Sequence, residues 1–115
     1  MSKKPLIIST DPGIDDIAAM TISLFADELD VKMIVPTWGN VSLAHTLQNT
    51  LDLENFLHTK VPVVKGANQP LVRPAISAAS VHGETGIAGF EFEKANDDLL
   101  EPGLAAPKMY EAINT

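Results

Sequence analysis

An α/β architecture, an open and mostly parallel Rossmann-like sheet, follows from three observations. Short apolar runs rich in β-branched residues alternate with helical stretches, in the order β-α-β-α-β over the first half of the chain. Crossovers of that length join parallel strands with right-handed connections. Gly and Pro breaks fall between the runs, where turns are needed. The chain of 115 residues allows one domain at most, and its 45% apolar content is enough to fill a core.

The first strand is predicted over Pro5 to Thr10 (PLIIST), a short run that reads as a buried strand. Asp11-Pro12-Gly13 breaks it. From Asp15 to about Ala26 the chain reads as a helix that is apolar nearly all round, the pattern of a helix packed between other elements. Val31 to Trp38 is a second strand, in which Pro36 removes a backbone donor and weakens or ends the pairing. Ser42 to His58 is a second helix with Ser42 placed to cap it. Its Leu43, Leu47, Leu51, Leu53 and Leu57 fall in one stripe, and Glu54 lands inside that stripe with nothing in the sequence to explain it. Val61 to Val64 is a third strand, giving a three-stranded sheet. Lys65 to Gly103 has no clear period, and a loop of that length is commonly functional or mobile. A helix starts at about Ala105, with Pro107 suited to its first turn.

Composition excludes several classes of function. There is no cysteine, hence no disulfide scaffold, thiolate zinc site or cysteine nucleophile. A net charge of −7 repels nucleic acid and suits a cation or a neutral polar ligand. No apolar run approaches the length of a membrane helix, and Leu6-Ile7-Ile8 is too short for a signal peptide. A cytoplasmic protein is the default expectation.

In an open α/β sheet, ligands bind beyond the carboxyl ends of the strands. Here those ends carry Asp11-Pro12-Gly13-Ile14-Asp15-Asp16, Gly39-Asn40 and the loop after Val64. Crowded carboxylates repel, by ~4 kcal/mol for two charges ~4 Å apart at an effective dielectric near 20. A helix N-terminus offsets part of that, so one reading is that Asp15 caps the first helix and Asp16 complements its dipole. A bound hard cation offsets more, and the residues alone leave the two readings open. The turn lacks G-x-x-x-x-G-K-[ST] and G-x-G-x-x-G, and its acids oppose a phosphate. Such a cluster favours attack by metal-held water, with a carboxylate taking the proton.

The run Ile8-Ser9-Thr10-Asp11-Pro12-Gly13-Ile14-Asp15-Asp16-Ile17-Ala18 closely resembles the N-terminal signature of the inosine-uridine preferring nucleoside hydrolases. Thr37-Trp38-Gly39-Asn40-Val41-Ser42 resembles the family's Gly-Asn turn after strand two, and Val81-His82-Gly83-Glu84-Thr85-Gly86 its His-Gly-Glu-Ser/Thr-Gly loop. The resemblance implies the nucleoside hydrolase fold, with residues 1–115 as the N-terminal part of a single domain. It implies calcium-assisted hydrolysis of the N-glycosidic bond of a ribonucleoside, giving ribose and a free base. By position, Asp11 resembles the calcium ligand that is also the general base, and Asp16 a second calcium ligand. Asp15 resembles the acceptor of ribose hydroxyl hydrogen bonds, Asn40 a residue near the water and ribose, and His82 part of a lid over the nucleobase. A homo-oligomer is expected, with no nucleic-acid or membrane partner. Cleavage passes through an oxocarbenium-like sugar, which nearby carboxylates stabilise.

Ser9 stands where family members usually carry a further Asp, which removes one charge from the network around Asp11. The resemblance also implies further calcium ligands and a leaving-group acid from later segments, so the 115 residues alone are expected to be inactive. Two alternatives remain: an inactive nucleoside- or ribose-binding or regulatory fragment of the same fold, and a Mg²⁺-dependent phosphohydrolase. The phosphohydrolase usually wants an Asp where Ser9 stands. Glycines at 83, 86 and 89 suggest that residues from about Ala75 to Gly89 form a pliable lid. Glu84 reads as a solvated charge, and Trp38 as packed rather than stacked on a base. Asn49, in the second helix, reads as structural, holding a neighbouring loop. His58 faces the negative end of that helix.

Overall fold

The computed structural model of the chain describes residues 3–39, 41–67, 72, 95 and 98–114. Strand β1 spans Lys4–Thr10, helix α1 Ile14–Phe25, strand β2 Leu29–Pro36, helix α2 Leu43–Leu57 and strand β3 Val63–Val64. A short strand β4, Leu100–Glu101, and helix α3, Ala105–Ile113, follow. The strands form one parallel sheet in the order β1-β2-β3-β4. The predicted α/β fold class and parallel sheet are therefore observed. The predicted three-stranded sheet gains a fourth strand, whose two residues are too few to show a period against the surrounding loop.

The sheet is covered on both faces. On one, Ile17 and Met20 of α1 and Leu53 of α2 close over Ile34, with Ile8, Leu24, Val31, Leu57 and Val61 around them. On the other, Met33, Val35 and Val64 pack against Ala105, Met109 and Ala112 of α3, with Ile7 alongside. A bulge in β2 makes this division possible. Leu6 pairs with Val31 and Ile7 with Met33, so Lys32 is an extra residue. It resets the alternation, letting Val31 and Ile34 face the α1–α2 layer while Met33 and Val35 face α3.

Two expectations at the helix starts are corrected. Gly13, not Asp15, holds the N-cap position of α1, and Asp15 lies in the first turn. The extended backbone at Gly13 lets the helix begin one residue earlier than Asp15. Ser42 does hold the N-cap position of α2, but its hydroxyl makes no capping bond there; it lies 3.4 Å from His45 Nδ1 instead. Helix α2 ends at His58 in the left-handed region, φ 58°, with Thr59 N–H donating to Glu54 O at 3.0 Å.

The Glu54 that interrupted the leucine stripe is fully buried. Its Oε1 accepts hydrogen bonds from Val61 N–H at 2.8 Å and from the Thr59 hydroxyl at 3.2 Å, while Oε2 has no partner among the described residues. The side chain thus ties the end of α2 to the segment entering β3. Burial pushes its carboxyl up to about 7, against the lowering effect of those two bonds. The buried surface of α2 is also broader than the leucine stripe, for it takes in Thr46, Asn49, Thr50 and Asp52. Thr46 and Thr50 are satisfied by carbonyls one turn back, at 3.2 and 2.9 Å. Among the described residues no helix is long and apolar enough to cross a membrane.

Candidate active site

The carboxyl ends of β1, β2 and β3 are sewn together by backbone bonds. Thr37 N–H donates to Thr10 O at 2.8 Å, Gly66 N–H to Pro36 O at 2.8 Å, and Trp38 N–H to Ala67 O at 2.8 Å. Gly66 lies so close that an added Cβ would sit 2.6 Å from both Pro36 O and Thr37 Cγ2. This framework fixes where the three loops that the sequence points to leave the sheet, and Asp11 leaves it directly after Thr10.

The acidic turn is held from two sides. Asn49 Nδ2, from α2, donates to Pro12 O at 3.4 Å, and both Asn49 and Pro12 are buried. That is the structural role expected of Asn49. Gly13 N–H donates to Asp16 Oδ2 at 3.4 Å, turning the Asp16 carboxylate back towards the turn, while Asp15 is exposed. The Asp11 side chain lies against Gly39: a Cβ on Gly39 would collide with Asp11 Oδ2, Cβ and Cγ. The first residue of the Gly-Asn pair therefore makes room for the carboxylate, a reason for glycine that its turn-forming role did not reveal.

The Asp16 carboxyl is raised from its ordinary value. Its partial burial is the largest cause, opposed by the Gly13 N–H. The charges of Asp11 and Asp15 raise it further, and a hydrogen bond with the Thr10 side chain lowers it. The turn therefore concentrates three carboxylates within electrostatic reach at the end of β1.

Carboxylate oxygens are the hard donors that Ca²⁺ takes, so Asp11 and Asp16 fit such an ion in kind. In number they fall short of the six to eight oxygens it prefers. Among the described residues no group of three or more His, Asp or Glu side chains is arranged to hold a metal. Asn40, His82, Glu84 and the expected lid from Ala75 to Gly89 lie outside the described residues.

Residues 6–115 match the family profile described as inosine-uridine preferring nucleoside hydrolase. Among curated proteins, a non-specific ribonucleoside hydrolase RihC from Klebsiella pneumoniae is 48% identical over 103 residues, covering 89% of this chain and 34% of the relative. A RihC from Escherichia coli is 46% identical over 92 residues, covering 80% and 30%. The chain thus spans about a third of the length of the curated relatives it matches. Among solved structures, an inosine-guanosine nucleoside hydrolase superposes with a TM-score of 0.86 at 26% identity, over 96% of this chain and 34% of that one. A plant nucleoside hydrolase superposes with a TM-score of 0.86 at 30% identity, over 96% and 36%. With the acidic turn, the parallel sheet and the profile match in agreement, the chain belongs to the inosine-uridine preferring nucleoside hydrolase family.

Proposed function

We propose that the chain is the N-terminal part of a single nucleoside hydrolase domain that cleaves the N-glycosidic bond of ribonucleosides with the help of Ca²⁺. The observation that carries this reading is the nearness of Asp11 and Asp16 at the carboxyl end of β1, where the charge of Asp11 raises the cost of charge on Asp16. Asp11 and Asp16 would hold the cation, which when bound lowers the pKa of a coordinated water. Asp11 would take the proton of the attacking water as it adds to the anomeric carbon and the bond from that carbon to the base breaks. Asp15, exposed in the first turn of α1, accepts hydrogen bonds from ribose hydroxyls. Asn40 orients the water and the sugar, and His82 lies in a lid over the nucleobase. The carboxylates stabilise the positive charge that develops on the sugar as the base departs. The working protein is a cytoplasmic homo-oligomer.

Two carboxylates are too few for tight calcium binding, and the groups that assist the departing base belong to the part of the family fold beyond these residues. The 115 residues alone are therefore inactive and bind Ca²⁺ weakly. The test mixes the purified chain with inosine or uridine and Ca²⁺ and measures reducing sugar. No release is expected. Sustained release that disappears in Asp11→Asn would show that the missing groups are not required or come from another copy.

A further inference from the structure

Gly39 and Gly66, at the carboxyl ends of the strands, are glycines for want of space. Among the described residues only Gly103 is a glycine with a left-handed backbone, so neither of the two is needed for its conformation. Gly39 makes room for the Asp11 side chain. Gly66, two residues beyond β3, makes room for the end of β2. A Cβ on it would lie 2.6 Å from Pro36 O, 2.6 Å from Thr37 Cγ2 and 3.0 Å from Val35 Cγ1. The first of these neighbours is backbone, which cannot swing aside as a side chain can. Nor can the seam slide to relieve the contact, because Gly66 N–H holds Pro36 O and Trp38 N–H holds Ala67 O, each at 2.8 Å. Thr37 is caught in between. Its methyl lies towards Gly66; on the β1 side its N–H donates to Thr10 O at 2.8 Å, with its hydroxyl 3.5 Å from the same oxygen. Thr10 is followed in the chain by Asp11, and Gly39, two residues after Thr37, lies against the Asp11 side chain. A shift of Thr37 away from Gly66 therefore reaches Asp11 by two routes, the Thr10 carbonyl and Gly39.

We propose that Gly66 and Thr37 are positioning residues for Asp11: the space left by Gly66 sets how far Thr37 stands from β3, and Thr37 carries that setting across β2 to the carboxylate. Neither takes part in the chemistry. Close-packed interiors pass such displacements on, because no void absorbs them. A misplacement of about 1 Å at a reacting group costs turnover about 100-fold. The placing itself is independent of what Asp11 does. Its consequence for turnover rests on the reading of Asp11 as base and cation ligand.

The first readout is the side-chain carboxyl carbon signal of Asp11, followed by NMR in the chain with no metal added. Gly66→Ala should move it by more than the signals of Asp27 and Asp30, which lie towards the other end of the sheet. Adding Thr37→Ser, which takes away the methyl that the new one meets, should bring the signal back towards its original place. Leu57→Ala, which thins the core at the far end of α2, should lower the melting temperature and leave the Asp11 signal where it was. The second readout is turnover of the complete enzyme. Gly66→Ala should lower it by about 10- to 100-fold. Added to Asp11→Asn it should cost less than about twofold, since the group it misplaces is then already gone. If Gly66→Ala does not fold, Thr37→Ala, which keeps the backbone donor and vacates the space beside Gly66, must move the Asp11 signal by itself. An Asp11 signal that stays fixed in these variants, or that moves as far in Leu57→Ala, would overturn the proposal. So would an equal loss of turnover with and without Asp11→Asn. A double variant no closer to the original than Gly66→Ala would overturn the part given to Thr37. Near-normal turnover of Asp11→Asn alone would instead sink the catalytic reading, and the NMR signal would then decide the positioning.

Discussion

Two carboxyl groups, at the two ends of the α/β layer, are both raised from their ordinary values chiefly by burial, and they differ in what relieves them. Asp16 lies at the carboxyl end of β1, beside Asp11 and Asp15, whose charges add to its cost. Glu54 lies at the far end of α2, and among the described residues no acidic neighbour raises it further; its Oε1 takes two hydrogen bonds while Oε2 takes none from them. A crowd of negative charges is relieved best by a cation, which satisfies several at once. A solitary buried carboxyl is relieved by a proton. Similar chemistry thus suits the proposed cation site in one place and a structural joint in the other, and neighbours decide which.

The largest expected effect breaks the first half of that comparison. In the complete enzyme, Asp11→Asn should reduce turnover by about 1,000-fold or more, since it removes the proposed base and the proposed charged ligand together. Near-normal turnover would exclude both roles. Glu54 should instead leave its mark on stability. Its folded-state value of about 7 lies above the ordinary 4.5, so folding favours the protonated form. The stability it contributes is full below about pH 4.5 and is lost as the pH rises towards 7. The difference is on the order of 3 kcal/mol. Glu54→Gln should remove that slope, which chemical denaturation of both proteins across pH 4.5–8 would show; parallel profiles would mean that Glu54 titrates normally.

A smaller effect sharpens the role of Gly39. Gly39→Ala places a methyl group where the Asp11 carboxylate lies. Turnover of the complete enzyme should fall by about 100-fold through misplacement of Asp11, while the melting temperature falls little. The smallest effect belongs to the Glu54 end. His58→Gly at the left-handed end of α2 should raise stability by about 0.5–1 kcal/mol, because glycine adopts that conformation without a Cβ penalty. A loss of stability, measured by denaturant melts, would show that the His58 side chain matters more than its backbone.

The sequence carried the two ends unequally. The acidic turn was legible because three carboxylates after a strand and before a helix are costly enough to be noticed, and because the signature around Asp11 is specific. The order of strands and helices was legible from the shift between β-branched runs and helical stretches. Three features were not. Strand β4 has two residues and depends on pairing with β3, which no local pattern announces. The cap of α1 fell to Gly13 because backbone conformation, not side-chain preference, decides where that helix starts. Glu54 looked like an error in an apolar stripe, since its partners, Thr59 and Val61, reach it only through the turn that ends α2. Its neighbours Lys60 and Pro62 give no sign of that return.

Whether the crowd at β1 accepts a cation as one unit is measured most directly by following the side-chain carboxyl carbons of the chain by NMR during a calcium titration. The Asp11 and Asp16 signals should move together, on one saturable curve in the millimolar range, while Glu54 stays still, and Mg²⁺ should produce a weaker response. Signals of Asp11 and Asp16 that stay fixed, or that move no more than those of other exposed carboxylates such as Asp27, would contradict a shared cation site.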